Sequence, residues 1–417
     1  AVRVSSPGVR DTSTMSPALR EIMTEPSIPV ALLKALHDRL SDRAPAVRAR
    51  AAHSLSDALA RITKVDSEGK ASDESFVLSD DEMEDFEKDQ ADEAKPFKEA
   101  VLKLAPQLIS TLRKRAACDE RATVRKASIA GLTSMLLVMD GVSTSCLAQT
   151  CPSQSDVVIF CRLCGDQSVA TRKAAAEALA TLVKNQYSKG GVSLLDSAFA
   201  EAVLPLVLDA ETTCVSKAVD LFCEIVLDPI IEVGGRTTAW NSDFQKNRYM
   251  TAWRVLARIS EASNESGASK GGTRALKVAL TKVFDDAGAS HGNVSKPLLK
   301  EVHRVAVSSL ELEGSSFDDT EDMNETLTDN STLFNSNVES QRVGAWCLLD
   351  ALTDCGPQKK GTQQSGRFDP IKAFKSSSCD SEFLASSWEK LHQMSSSPDI
   401  SQQSLSTTII TSRQCLQ

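Results

Sequence analysis

Four cysteines, Cys146, Cys151, Cys161 and Cys164, come nearest in type and spacing to a reactive centre in this chain. Zinc takes four soft ligands in a tetrahedron, and a Cys-x-x-Cys half-site such as Cys161/Cys164 is its usual unit. These two residues lie in VVIFCRLC, an apolar helical pattern in which small thiols pack well, so core packing is the stronger reading. A phosphate loop needs G-x-x-x-x-G-K-S/T, and the nearest look-alike, GASKGGT over residues 267–273, has its lysine on the wrong side of the glycines. HExxH, G-x-S-x-G and the dinucleotide fingerprint are absent. The five histidines (His37, His53, His291, His303, His392) are dispersed. The expectation is a chain without catalytic residues, cofactor, metal or small-molecule substrate.

Basic residues carry the second candidate chemistry. Arg50, Lys126 and Lys173 stand at comparable places in three recurring segments, with Arg113, Lys114 and Arg115 close by in sequence and Arg121 adding charge. If those segments stack, such residues line one edge and make the electrostatic footprint of phosphate-backbone binding without base readout. The alternative, an ordinary solvated face, weighs about equally on the sequence.

What must position these residues is a repeat. Asp42, Asp119 and Asp166 each precede a β-branched residue at +5 (Val47, Val124, Thr171), an arginine at +6 (Arg48, Arg125, Arg172) and a leucine at +13 (Leu55, Leu132, Leu179). A fourth copy runs from Asp209 to Phe222, with Val215 where the arginine is expected. The spacings are 77, 47 and 43 residues, and the first becomes 48 once a 29-residue acidic stretch is set aside. A period of about 40–47 residues belongs to paired-helix repeats of the HEAT/armadillo kind. Helical periodicity agrees: Phe97, Val101, Leu104, Leu108 and Leu112 share one face, as do Phe199, Ala202, Val203, Leu206 and Val207. Asp119 and Asp166 fall between helices, where a carboxylate can cap the second one. Further helices are expected over 28–40, 45–62, 124–138, 155–164, 169–187, 215–228, 247–261, 273–284, 296–310, 340–354 and 382–394, with no confident strand.

Composition bounds the rest. The chain has 417 residues, 41% hydrophobic and 5% aromatic, with a net charge of −9. It is long enough for a large core and poor in the aromatics that sheets favour. No stretch approaches the ~20 apolar residues of a membrane span, so no membrane is expected. No secretory signal is visible, and eleven scattered cysteines suggest reduced thiols in a soluble, intracellular protein. The Asn-x-Ser/Thr sites at Asn264, Asn293, Asn324 and Asn330 then read as polar loops. Residues 66–94 hold thirteen acids against Lys70 and Lys88, a net −11, leaving +2 for everything else. A segment so charged cannot repay its ordering entropy and is expected to be a disordered insert over 66–95. Within it, Ser79 precedes Asp80, Asp81 and Glu82, the preference of acidophilic kinases. Phosphate there would either occlude the basic edge or dock on a basic partner; an inert solubilising loop is the plainer alternative.

The expected organisation is an all-α HEAT/armadillo-type solenoid with disordered acidic inserts. Residues 1–25 are unassigned and flexible, 26–65 a repeat, 96–310 a repeat array, 311–340 an acidic, polar loop, 341–395 further helical repeats, and 396–417 unassigned. A polar, Gly-containing loop is expected over 356–367. The first residue is Ala, which suggests an internal piece of a longer chain.

The segments LSDRAPAVRARAAHSL (40–55), CDERATVRKAS (118–128), Asp166 through Leu179, AVLPLVLDAETTCVSKAVDLF (202–222), GAWCLLDAL (344–352) and SWEKL (387–391) resemble, in order and spacing, the D-type HEAT-repeat subunits of condensin II. The resemblance spans most of 30–395, and the family's proteins are much longer. It implies a non-enzymatic regulatory subunit of the nucleus and chromosome, acting in mitotic chromosome condensation. Implied partners are the kleisin subunit, the SMC ATPase heterodimer, and DNA or chromatin. It also implies an inter-repeat ladder of Asp42, Arg48, Asp119, Arg125, Asp166 and Arg172. A nuclear transport receptor or another HEAT scaffold, such as a phosphatase adaptor, is the alternative, although transport receptors usually carry a strongly acidic solenoid.

Overall fold

The computed structural model describes residues 27–71, 83–142, 154–188, 194–234, 242–265, 271–286, 297–302, 304–306 and 328–354. Among them no strand occurs. The fold is all-α, with helix pairing typical of a helical solenoid, and the chain divides into two compact units, Ala1–Ser153 and Gln154–Gln417.

The first unit contains α1 (Ser27–Leu40), α2 (Pro45–Ala71), α3 (Met83–Cys118) and α4 (Ala122–Val142). Short turns at 41–44 and 119–121 make α1/α2 and α3/α4 antiparallel pairs. The pairs stack like on like, α1 on α3 and α2 on α4. The apolar stripe of α3 explains the packing: Val101, Leu108 and Leu112 are fully buried, while Phe97 is half-buried. Leu33, Leu40, Leu55, Leu59, Val124 and Leu132 on the neighbouring helices are fully buried as well, each contributing about 1.5–3 kcal/mol of burial. Gly131 lets α4 approach closely, since a Cβ there would lie 3.1 Å from Leu112 Cδ2. One helical window, Ala122–Met139, is by length and composition apolar enough to cross a membrane, against the sequence expectation. Half of it is buried inside the protein, where α4 packs on α2 and α3.

The second unit opens with α5 (Gln154–Cys164) and α6 (Val169–Asn185), which ends in a 3₁₀ turn over Gln186–Ser188. α7 (Leu194–Ala198) continues through a π turn (Phe199–Val203) and a 3₁₀ turn (Leu204–Leu208). Next come α8 (Thr212–Phe222), a second π turn (Cys223–Leu227) and α9 (Asp228–Gly234). α10 (Asp243–Glu265), α11 (Gly271–Asp286) and α12 (Thr328–Asp354) complete the named helices; residues 297–302 and 304–306 are also helical. α5 stacks on α7 and α6 on α8, repeating the like-on-like order, and α12 packs along α10.

The structure also alters two expectations about the acidic and polar stretches. The segment 66–95, expected to be disordered, is helical over 66–71 and again over 83–95. Its Glu, Lys and Ala residues are good helix formers, and the acids at the start of α3 suit the positive end of the helix dipole. The polar loop expected over 311–340 is helical from Thr328, upstream of the apolar run. Residues 1–25, 356–367, 382–394 and 396–417, with Ser79, Cys146 and Cys151, lie outside the described residues.

Candidate functional site

Four turns between paired helices share one geometry. Each aspartate accepts the backbone N–H two residues on: Ala44 to Asp42 at 2.9 Å, Arg121 to Asp119 at 3.1 Å, Ser168 to Asp166 at 2.8 Å and Glu211 to Asp209 at 2.8 Å. Each following helix begins one residue later, at Pro45, Ala122, Val169 or Thr212. The carboxylate therefore closes an Asx-type turn ahead of the helix instead of capping the helix's own amides, as the sequence had suggested. At +13, Leu55, Leu132, Leu179 and Phe222 are all fully buried, so these turns sit in the same place relative to the core.

The arginine at +6 folds back on its own turn. Arg48 Nη1 donates to the carbonyls of Asp42 and Arg43, both at 2.9 Å. Arg125 Nη1 reaches Asp119 (2.9 Å) and Glu120 (3.2 Å), and Arg172 Nη1 reaches Asp166 (2.8 Å) and Gln167 (3.2 Å). In Arg48 and Arg172 the rest of the guanidinium points to the following turn. Arg48 grips Asp119 in a fork, Nε to Oδ2 at 2.8 Å and Nη2 to Oδ1 at 2.9 Å. Arg172 donates one hydrogen bond to Asp209, Nη2 to Oδ1 at 2.9 Å, and its Nε lies 2.8 Å from Oδ2 in the same ion pair. Val215 at +6 of the fourth turn ends the series.

Electrostatics follow this geometry. Burial alone would raise the Asp119 carboxyl, but the Arg48 fork, the Arg121 amide and the charge of Arg115, 3.6 Å away, outweigh it and hold the group below the usual carboxylate range. Hydrogen bonding to Asp119 raises Arg48 correspondingly, and bonding to Asp209 raises Arg172.

The basic candidates divide. Arg50 on α2, Lys126 on α4 and Lys114 on α3 are exposed, and α2 lies beside α4, joined by Ser56 Oγ and Ser134 Oγ at 3.1 Å. Arg115 is drawn to Asp119 and Arg113 is half-buried, so neither offers a free cation at this edge. Lys173 is half-buried in the second unit, whose turns carry Gln167, Ser168, Ala210 and Glu211. The first unit's turns carry exposed Arg43 and Arg121 instead. Arg43 is missing from the sequence candidates and Arg121 was only an added charge. Their positions at +1 and +2 from the repeat aspartate are the signal that identifies them. The cations thus gather at the turn end of the first unit, in place of a stripe through every repeat.

The described acids of the acidic stretch, Asp66 and Glu68 on α2 and Glu84 to Glu93 on α3, lie at the other end of those helices. At 1.5 Å per residue, Glu93 is about 38 Å along α3 from the turn at Asp119. Occlusion of the basic edge by this part of α3 therefore does not fit the helix geometry.

Other singled-out groups pack structurally. Cys164 is buried and Cys161 half-buried, burial raising both thiols, and among the described residues no group of three or more potential ligands could hold a metal. His37 Nε2 lies 2.9 Å from Thr111 Oγ1, tying α1 to α3. No protein-family model matches the chain. No curated protein matches it either.

Proposed function

We propose that this chain is a non-catalytic HEAT-type scaffold, part of the D-type regulatory subunit of a condensin II complex in the nucleus. On this reading it binds the kleisin subunit and the SMC ATPase heterodimer and acts in mitotic chromosome condensation. The observation that carries the reading is the repeated turn, with its aspartate, back-folded arginine and buried +13 residue at the spacing of HEAT units. Stacked pairs of this kind present extended surfaces suited to a long partner segment. Duplex DNA phosphates are the proposed contact of the first unit's turn end, through Arg43, Arg50, Arg121 and Lys126.

Two experiments test this. Pull-down from mitotic extract should recover SMC and kleisin subunits; recovery of Ran or a phosphatase catalytic subunit in their place favours the alternative scaffolds. Titration of duplex DNA against salt should give a slope of up to about −3.6 in log K against log salt, about −0.9 for each of four neutralised phosphates. Replacing the four cations by Glu should remove that slope and weaken all sequences alike. Unchanged binding and slope would place any DNA contact elsewhere.

A further inference from the structure

The cations of the first unit's turn end continue along α2. Arg50, His53, Asp57 and Arg61 follow one another at intervals of three or four residues, so they share one helix face. All four are exposed, the His53 side chain at 72%. The core residues of the same helix, Ala51, Leu55 and Leu59, occupy its other side, and α1 and α3 pack there.

α4 runs beside the exposed face. Its register is fixed by Ser56 Oγ on Ser134 Oγ at 3.1 Å and by Gly131, where a Cβ would come 3.4 Å from the Ala52 carbonyl oxygen. His53 is therefore level with Ala130 and Gly131, and the residues of α4 on that side, Ala127, Ala130 and Ser134, are uncharged. Of the charged residues on α4, Arg125 folds back on its own turn, Lys126 lies at the proposed DNA edge, and Asp140 is about 15 Å beyond Ala130 along the helix. The charged groups that face His53 are thus Arg50, one turn back, and Asp57, one turn on, with Oδ2 3.9 Å from Nε2.

An imidazole changes charge between about pH 5 and 8, and a phosphate beside it favours the cationic form. Neutral, His53 offers a phosphate no charge. Protonated, it fills the gap between Arg50 and Arg61 and makes three cations against one acid on this face.

We propose that His53 is a fifth phosphate contact of the first unit's DNA edge, made only when its imidazole is protonated. Duplex binding then takes up a proton, so affinity rises as pH falls. The inference rests on the proposed DNA contact and gives that same site a dependence on pH.

Titration of duplex DNA against salt at about pH 7.5 and about pH 5.5, on either side of the imidazole range, tests it with the full chain. One more neutralised phosphate at the lower pH should steepen the slope of log K against log salt by about 0.9. His53→Gln, which stays neutral, should give the same slope at both pH values. Asp57→Asn should keep the pH-dependent step, because the phosphate and not Asp57 is the partner of the cation in the complex. Both positions are exposed, so circular dichroism should show the parent's helix content in each variant. A parent slope that is present but equal at both pH values would overturn the proposal and leave the DNA contact standing. A step that survives His53→Gln, or one lost in Asp57→Asn, would also overturn it. A duplex that binds at neither pH would overturn the DNA contact and this proposal together.

Discussion

Arg48 and Asp119 are 71 residues apart, yet they meet in a two-pronged ion pair, with the aspartate side chain 1% exposed. The acidic stretch and most of two helices intervene, so the pair fixes the register of the first helix pair on the second. Asp119→Ala would leave Arg48 and Arg115 facing a buried, uncompensated gap, a loss of about 3 kcal/mol. Asp42→Ala, at the half-buried equivalent with no preceding arginine fork, should cost distinctly less. Urea denaturation of the two variants side by side checks the order.

The same pair predicts a pH dependence. The Asp119 carboxyl is depressed in the folded protein, so its contribution is fully present above the unfolded carboxylate value of about 3.9 and is lost as pH falls through the lower folded value. Stability of the first unit should therefore hold from neutrality to about pH 4 and decline below it. Asp119→Asn should flatten that decline, as followed by circular dichroism.

Gly344 permits the close approach of α12 to α10. A Cβ there would fall 2.8 Å from the Trp253 carbonyl oxygen, 3.1 Å from Leu256 Cβ and 3.2 Å from the Trp253 ring. A backbone atom cannot swing aside as a side chain can, so Gly344→Ala should destabilise by about 1–3 kcal/mol. Trp253 is fully buried, and the shift of its fluorescence with denaturant reports the loss.

Thiol labelling should separate the cysteines. Cys118 is exposed and should react first among those described, whereas buried Cys164, Cys214 and Cys347 should react only on unfolding. Burial pushes the Cys347 thiol up to about 12, removing nearly all thiolate at neutral pH. Mass spectrometry of native protein briefly treated with a maleimide gives the order. Early modification of Cys164 would contradict its place in the core.

The two units should respond differently to charge reversal. Arg50→Glu removes an exposed cation that shares the first unit's turn end with Arg43, Arg121 and Lys126. Lys173→Glu changes a half-buried residue in a unit whose turns are neutral or acidic. On the proposed reading, the first should weaken duplex binding several-fold at low salt and the second much less; equal effects would restore a stripe through all repeats.

The sequence alone determined the helices and the repeat, because both rest on local periodicity. Apolar residues three and four apart must share a helix face, and an Asp–x₅–Arg–x₆–Leu spacing recurs wherever the same turn recurs. Even the break at Val215 was legible. What lay beyond the sequence depended on contacts between distant residues or on how far a helix continues. The arginine's two-sided grip, on its own turn and on the next, needs helices stacked at one particular register. The loss of Arg115 from the free cations is local, since it lies four residues before Asp119 and pairs with it, and Arg43 and Arg121 stand one and two residues after a repeat aspartate. The helical ends of the acidic stretch escaped a reading based on net charge, since a highly charged segment can still extend a helix that packs elsewhere along its length. The packing of α10 was hidden for the same reason: Pro205 and Pro229 are visible in the chain, but only the fold shows that one helix packs on both of the π turns that precede them.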